Sequence, residues 1–378
     1  MIGFYLASDA WHERKPEQAV AYAGKAALSP ATDSFPDRLT DIAVLHEVLQ
    51  HDPKNSQAEY ALGNFLFAHG RYEEAAALWQ HAISGGFRNS VVLRNLGLYQ
   101  WQVEHNLANA ASYYSQAIRL SQVQYRLYTD LDEIYEQEGN AAAREELFRN
   151  APPAVLNQDT VRARRAVLLI EQGKYNRALT SLAGHVFKPW EGGVAIHEIF
   201  VAANIEKGKH ALNQYQPQEA AEAFRTAMQY PESLGTGEPD HPDLAEQDYW
   251  LGVALEAQGS HSQAEASWKK AAANGMDSGC AVYAGLAERK LGQQQASMDL
   301  LDKAEQAANR PGSTAADYRC AGVAEQMTDH PQLARSDFLQ AIRMNPLFWQ
   351  ARLNLQSVSD GRQNRGVESV KPPPSLHR

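Results

Sequence analysis

Small and apolar residues return along this chain in a fixed order. Leu62-Gly63, Gly70-Arg71-Tyr72, Ala75, Trp79 and Ala82 make one round, and Leu96-Gly97, Ala110, Tyr114 and Ala117 make the next. Leu251-Gly252, Gly259, Ala264, Trp268 and Ala271 repeat the order far downstream. Its second half recurs alone at Ala220, Phe224 and Ala227, and again at Ala334, Phe338 and Ala341, followed by Pro346. Leu62 and Leu96 lie 34 residues apart, as do Gly139 and Gly173. The ring and alanine positions sit at helical spacing, which marks them as core. Self-similarity at such a period marks stacked repeats, each a single supersecondary unit.

Each position has a physical reason. In a hairpin of two antiparallel helices, A and B, small residues let the backbones approach, so Ala and Gly on helix A face Ala on helix B. The ring of helix B is expected to fill the gap between one unit and the next. Gly at the turn permits a left-handed cap, and Pro after helix B stops it from continuing. The expected architecture is all-α, a right-handed α-solenoid of stacked antiparallel helix pairs.

A first hairpin is expected over residues 3–28, with Pro16 opening its second helix, then a loop and a lone helix over 37–50 closed by Pro53. Repeats begin near Ser56, Ser90, Val123 and Asp159, the third a degenerate one in which Phe148 takes the ring position. The period breaks at 187–193, resumes in a longer unit over 194–230, breaks again at the acidic loop 231–242, and continues from Ala245, Ser278 and Ala315. A terminal helix over 347–358 covers the last pair. The expected organisation is an N-terminal region 1–53, a sub-array 56–186, a loop 187–193, a second sub-array 194–358 and a disordered tail 359–378 that contains Pro372-Pro373-Pro374.

Composition narrows the function classes. Of the 378 residues, 44% are hydrophobic and 21% charged, which fits a folded chain rather than a disordered one. A net charge of -10 repels phosphate backbones and argues against a nucleic-acid partner. No apolar stretch approaches the roughly 20 residues a spanning helix needs, and Ile2 to Ala7 lacks the basic start and length of a signal peptide. The chain therefore reads as cytoplasmic, with no membrane partner. Two cysteines, Cys280 and Cys320, build no disulfide framework and are expected to be small core residues.

Candidate chemistry is sparse. His12-Glu13, His46-Glu47 and His197-Glu198 each begin like a zinc-protease motif, but Pro16, Gln50 and Val201 stand where the second His belongs. There is no G-x-S-x-G, no phosphate-cradling G-x-x-x-x-G-K and no C-x-x-C. No catalytic residue, metal site or cofactor is assigned, and the chain is read as a non-enzyme.

The periodic residues resemble the tetratricopeptide repeat family over nearly the whole chain before the tail. In that family the first helices line a concave surface that commonly grips peptides. Mapped by that resemblance, Tyr60, Asn64 and Phe67 fall on the inner face of one repeat, Arg94, Asn95, Leu98 and Trp101 on the next, and Arg126 on the third. Asn64, Asn95 and Arg126 recur at nearly one-repeat intervals, partly resembling the family's carboxylate clamp, although Tyr60 stands where that clamp carries Lys. The implied function is a scaffold for a protein or peptide partner. The bland alternative is a solvated inner face with the Asn side chains capping interhelical carbonyls.

A narrower resemblance rests on Phe35-Pro36-Asp37-Arg38-Leu39, Phe187 to Gly193 and Tyr230-Pro231-Glu232-Ser233-Leu234-Gly235. These are similar to landmarks of bacterial arrays that follow a mutarotase-like β-sandwich of unknown function. That resemblance implies an accessory region docking on a β-rich, carbohydrate-associated domain, with the present chain either a stand-alone array or a piece of a longer product. Within the 187–193 loop, Trp190 and Glu191 form a second candidate site, an aromatic platform for sugar or peptide. The competing reading is that Phe187 and Trp190 plug the break between sub-arrays.

Overall fold

A computed structural model describes residues 1–28, 35–188, 195–275 and 280–359. All regular structure among them is helical, without a strand. The helices fall into two compact units, Met1–Leu156 and Asn157–Arg378.

The first unit opens with α1 (Ile2–His12), α2 (Pro16–Ala27) and the single helix α3 (Leu39–His51). Three hairpins follow: α4 (Ser56–Ala68) with α5 (Tyr72–Ser84), α6 (Ser90–Gln102) with α7 (Leu107–Leu120), and α8 (Tyr125–Gln137) with α9 (Ala141–Asn150). The short α10 (Pro153–Leu156) closes the unit. The second unit pairs α11 (Asp159–Glu171) with α12 (Tyr175–Ala183), and the long α13 (Ile196–Asn213) with α14 (Pro217–Thr226). It continues with α15 (Ala245–Ala257) and α16 (His261–Asn274), α17 (Val282–Lys290) and α18 (Gln294–Ala308), α19 (Ala315–Met327) and α20 (Pro331–Met344), and ends on α21 (Trp349–Ser359).

Local chemistry sets these boundaries. Asn55, Asn106 and Asn140 each accept from the backbone amide three residues on, satisfying one of the amides a helix start leaves unpaired. Pro16, Pro217 and Pro331 open helices, where a missing N–H costs nothing. Gly139 and Gly173 end their A helices with φ of 68° and 72°, the left-handed conformation expected at the turn.

The rings of the B helices pack differently from the sequence expectation. They lie directly on the glycine of the A helix in their own hairpin. A β-carbon on Gly63 would come 2.5 Å from Nε1 of Trp79, and one on Gly97 would come 2.7 Å from Tyr114. Gly208 meets Phe224, Gly252 meets Trp268 and Gly322 meets Phe338 in the same way. The indole Nε1 of Trp79 donates to the Tyr60 carbonyl at 3.3 Å, and that of Trp268 donates to the Tyr249 carbonyl at the same distance. Glycine and ring are therefore one interlock within a hairpin, and the buried indole N–H has a partner.

The cysteines also depart from expectation. Cys280 and Cys320, 40 residues apart, are joined in a disulfide that ties the start of α17 to α19. Each lies on the first-helix side of its hairpin, and neighbouring first helices pack side by side, which brings the thiols together. Disulfides persist in oxidising compartments, so cysteine usage lends no support to a cytoplasmic assignment. None of the described helices is long and apolar enough to cross a membrane.

Candidate functional site

In the first unit the first helices α4, α6 and α8 carry a ladder of side-chain contacts. Asn95 Nδ2 donates to Asn64 Oδ1 at 2.9 Å, linking α6 to α4. Arg94 Nε donates to Asp130 Oδ2 at 3.1 Å, and Trp101 Nε1 donates to Gln137 Oε1 at 3.1 Å, linking α6 to α8. The two asparagines thus bond each other rather than cap interhelical carbonyls. Asn64, Arg94, Asn95 and Trp101 are half-buried and Arg126 is exposed on α8.

The rings of Tyr60 and Phe67 both pack on other aromatic side chains. Tyr60 is 1% exposed, packed with Phe87 at 5.6 Å between ring centroids, and so belongs to the core. Burial raises its phenol pKa, with the Asn64 side chain opposing part of that rise. Phe67 is half-buried over its own hairpin, 4.9 Å from Tyr72 and 5.3 Å from Trp79. Tyr60 points inward because it shares a helix face with the residues around Gly63, where the Trp79 ring closes over the backbone. Trp190 and Glu191 lie outside the described residues, but Phe187 is buried in the α11–α13 core beside Leu234. Its amide donates to the Ser233 carbonyl at 2.8 Å, so two of the landmark segments meet.

Sequence reasoning missed a second constellation, in the second unit. A cavity of about 360 Å³ lies against α13, α15, α17 and α19, with α21 along one side. Lys209, 7% exposed, bonds Glu206 at 2.9 Å and reaches Glu246 at 3.5 Å, while the Tyr283 hydroxyl donates to Glu246 at 2.6 Å. Burial opposes the Lys209 charge, but Glu206, Tyr283 and Glu246 outweigh it and raise its pKa. Its ammonium also stands 5.1 Å from the Trp250 ring centroid. The His197 ring stacks on Tyr230 at 3.9 Å. Lys209, Glu246 and Tyr283 recur at 37-residue intervals, one on each of three successive first helices, a spacing wider than the 34-residue period read upstream. Among the described residues, no cluster of three or more His, Cys, Asp or Glu side chains is arranged to hold a metal ion.

Two models of the tetratricopeptide repeat match the sequence, at residues 42–83 and 205–279. These two segments carry tetratricopeptide repeats. The matched segments take in the α4–α5 hairpin in the first unit and α15–α16 in the second. Among solved structures, this chain is similar to a tetratricopeptide repeat protein from Parabacteroides merdae, at 14% identity and a TM-score of 0.40, over 71% of this chain and 98% of that one. It is also similar to pilF of Pseudomonas aeruginosa, at 18% identity and a TM-score of 0.36, over 59% of this chain and 88% of that one. A TPR2AB-domain:pHSP90 complex of yeast Sti1 matches at 13% identity and a TM-score of 0.29, over 75% of this chain and 98% of that one. The β-rich neighbour implied by the narrower resemblance has no counterpart among the described residues, which carry repeats and helices only.

Proposed function

We propose that the chain is a non-catalytic scaffold that holds a peptide or protein partner on the inner face of its first unit. Tetratricopeptide repeats commonly mediate protein–protein interaction, through the surface that their first helices line. The observation that carries the reading is the Asn64–Asn95 bond between successive first helices. Amide side chains in such a row donate to and accept from an extended backbone. Arg126, exposed, supplies a bidentate donor for a carboxylate, and Trp101 supplies an apolar surface with two torsions to immobilise. Arg94 acts by orienting this row, since Asp130 holds it, and Phe67 supports the turn beneath.

The test is co-purification from the native host with wild-type chain and with a double variant, Asn64→Ala and Trp101→Ala. Loss of the partner at unchanged helicity supports the inner face. Equal recovery by both chains removes it.

A further inference from the structure

The C-terminal helix α21 has two working faces. Ala351, Leu355 and Val358 pack toward α19 and α20, as expected of a helix covering the last hairpin. The other face reaches back across the sequence to the start of the same unit. Trp349 and Leu353 pack on the core built by α11 to α13. Arg352 Nε pairs with Glu171 Oε1 on α11 at 3.4 Å, with side chains 15% and 8% exposed. Gln350 Nε2 donates to Glu198 Oε2 on α13 at 3.1 Å.

We propose that the inner face of α11 and α13 is a helix-receiving groove, that α21 is its intramolecular occupant, and that a basic amphipathic helix from a partner competes with α21 for it. The reading is independent of the asparagine row in the first unit. Two observations favour a displaceable occupant over a fixed structural helix. Trp349 and Leu353 are only half-buried, and the 360 Å³ cavity remains open beside them. Protein interiors are otherwise packed to crystal-like density, and sparsely packed elements open at lower free energy than the global fold.

The chemistry of the competitor follows from the groove and from α21 itself. Glu171 on α11 and Glu198 on α13 are the groove's own carboxylates and already take Arg352 and Gln350 of α21, so the wall favours a partner that brings basic side chains to the same two positions. α21 shows the spacing that fits: a large ring, an Arg three residues later and a Leu four residues later, the i, i+3, i+4 anchors of helix-in-groove recognition. Only residues 345–348 tether α21 to α20, so its effective concentration at the groove is high and a partner must overcome it.

The probe is a fluorescein-labelled peptide of residues 346–359, titrated into full-length chains. A chain whose own helix is loosened by Trp349→Ala and Leu353→Ala is expected to bind this peptide about ten-fold or more tightly than wild type does. The same peptide carrying Arg352→Glu should lose that gain. Asn64→Ala with Trp101→Ala, introduced into the loosened chain, should leave it unchanged, which separates this groove from the first-unit face. A loosened chain that keeps its helicity yet binds no tighter than wild type overturns the proposal. Should the double variant lose helicity, the chain carrying Arg352→Glu alone decides: a several-fold gain for the wild-type peptide supports the groove, and none overturns it.

Discussion

Arg144 Nε donates to Asp132 Oδ1 at 2.8 Å in the third hairpin, at two positions where the five hairpins with a ring on glycine carry alanine and glycine. Asp132 follows Leu131 as Gly63 follows Leu62, and Arg144 precedes Phe148 by four as Ala75 precedes Trp79. The interlock of ring on glycine has been exchanged there for a buried ion pair. A second contact, from Nη2 to Asp132 Oδ2 at 3.3 Å, makes it bidentate, and Glu136 lies 3.6 Å from the same guanidinium.

Removing one partner of such a pair leaves buried charge uncompensated. Arg144→Ala is expected to cost about 3–5 kcal/mol of unfolding free energy. Adding Asp132→Gly to it restores the glycine–alanine pair of the neighbouring hairpins and should return at least half of that loss. Urea denaturation of the two variants checks the order; a double variant no more stable than the single one would show that the exchange is not a coupled pair.

Gly63 carries the ordinary form of the interlock. Gly63→Ala places a methyl 2.5 Å from the Trp79 nitrogen, and the ring cannot retreat without losing its bond to the Tyr60 carbonyl. Overpacking of this kind costs about 1–3 kcal/mol. The same change at Gly70, a turn position with φ of 77° and open space around it, acts through backbone strain alone. Thermal melts of the two variants, with Trp79 fluorescence as a local probe, should show the ring displaced only in Gly63→Ala.

The repeats were legible because their determinants are local. Gly63 and Trp79, or Gly252 and Trp268, lie sixteen residues apart and share one hairpin, so the phase can be read from the chain directly. The start of α2 followed for the same reason, from Pro16 at the point of need. The inner face was legible only in part. Asn64 and Asn95 do meet, but Tyr60 sits on the boundary between the groove and the core stripe, and helical spacing does not say to which side it turns. The Glu171–Arg352 pair spans 181 residues and depends on the summed curvature of five hairpins, which no local pattern encodes. The Lys209 cluster likewise draws on α13, α15 and α17 at once.

Asp248 on α15 gives the second unit a pH signature. It is 4% exposed, and burial, only partly offset by Lys270, raises its pKa from 3.8 to about 6. The folded state thus holds its proton more tightly than the unfolded state does. Stability from this group is full below pH 4 and is lost as pH rises toward 6, because the charged form must then be buried. Asp248→Asn keeps the shape without the charge. Above pH 6 it should be more stable than wild type by on the order of 2 kcal/mol, with the difference vanishing near pH 4. A set of denaturation curves from pH 4 to 8 checks the sign; a gap that widens toward acid contradicts it.

The Cys280–Cys320 bridge makes the last prediction. It closes a loop of 40 residues containing α17, α18 and the start of α19. In the loop-entropy model a cross-link of this span restricts the unfolded chain by about 4 kcal/mol. Cysteine to serine at both positions, or reduction of the wild-type chain, should therefore lower the melting temperature of the second unit. A local probe separates the units: the indoles of Trp250 and Trp268 lie in the affected core, those of Trp79 and Trp101 in the first unit. Reduction should shift unfolding around Trp250 and Trp268 while leaving that around Trp79 and Trp101 in place, as followed in single-tryptophan variants. Because Cys280 also lines the cavity beside α21, reduced chain should in addition exchange the amides of α17 and α19 faster than oxidised chain does. Equal melting and equal exchange in the two redox states would mean that the bridge adds no constraint beyond the packing already present.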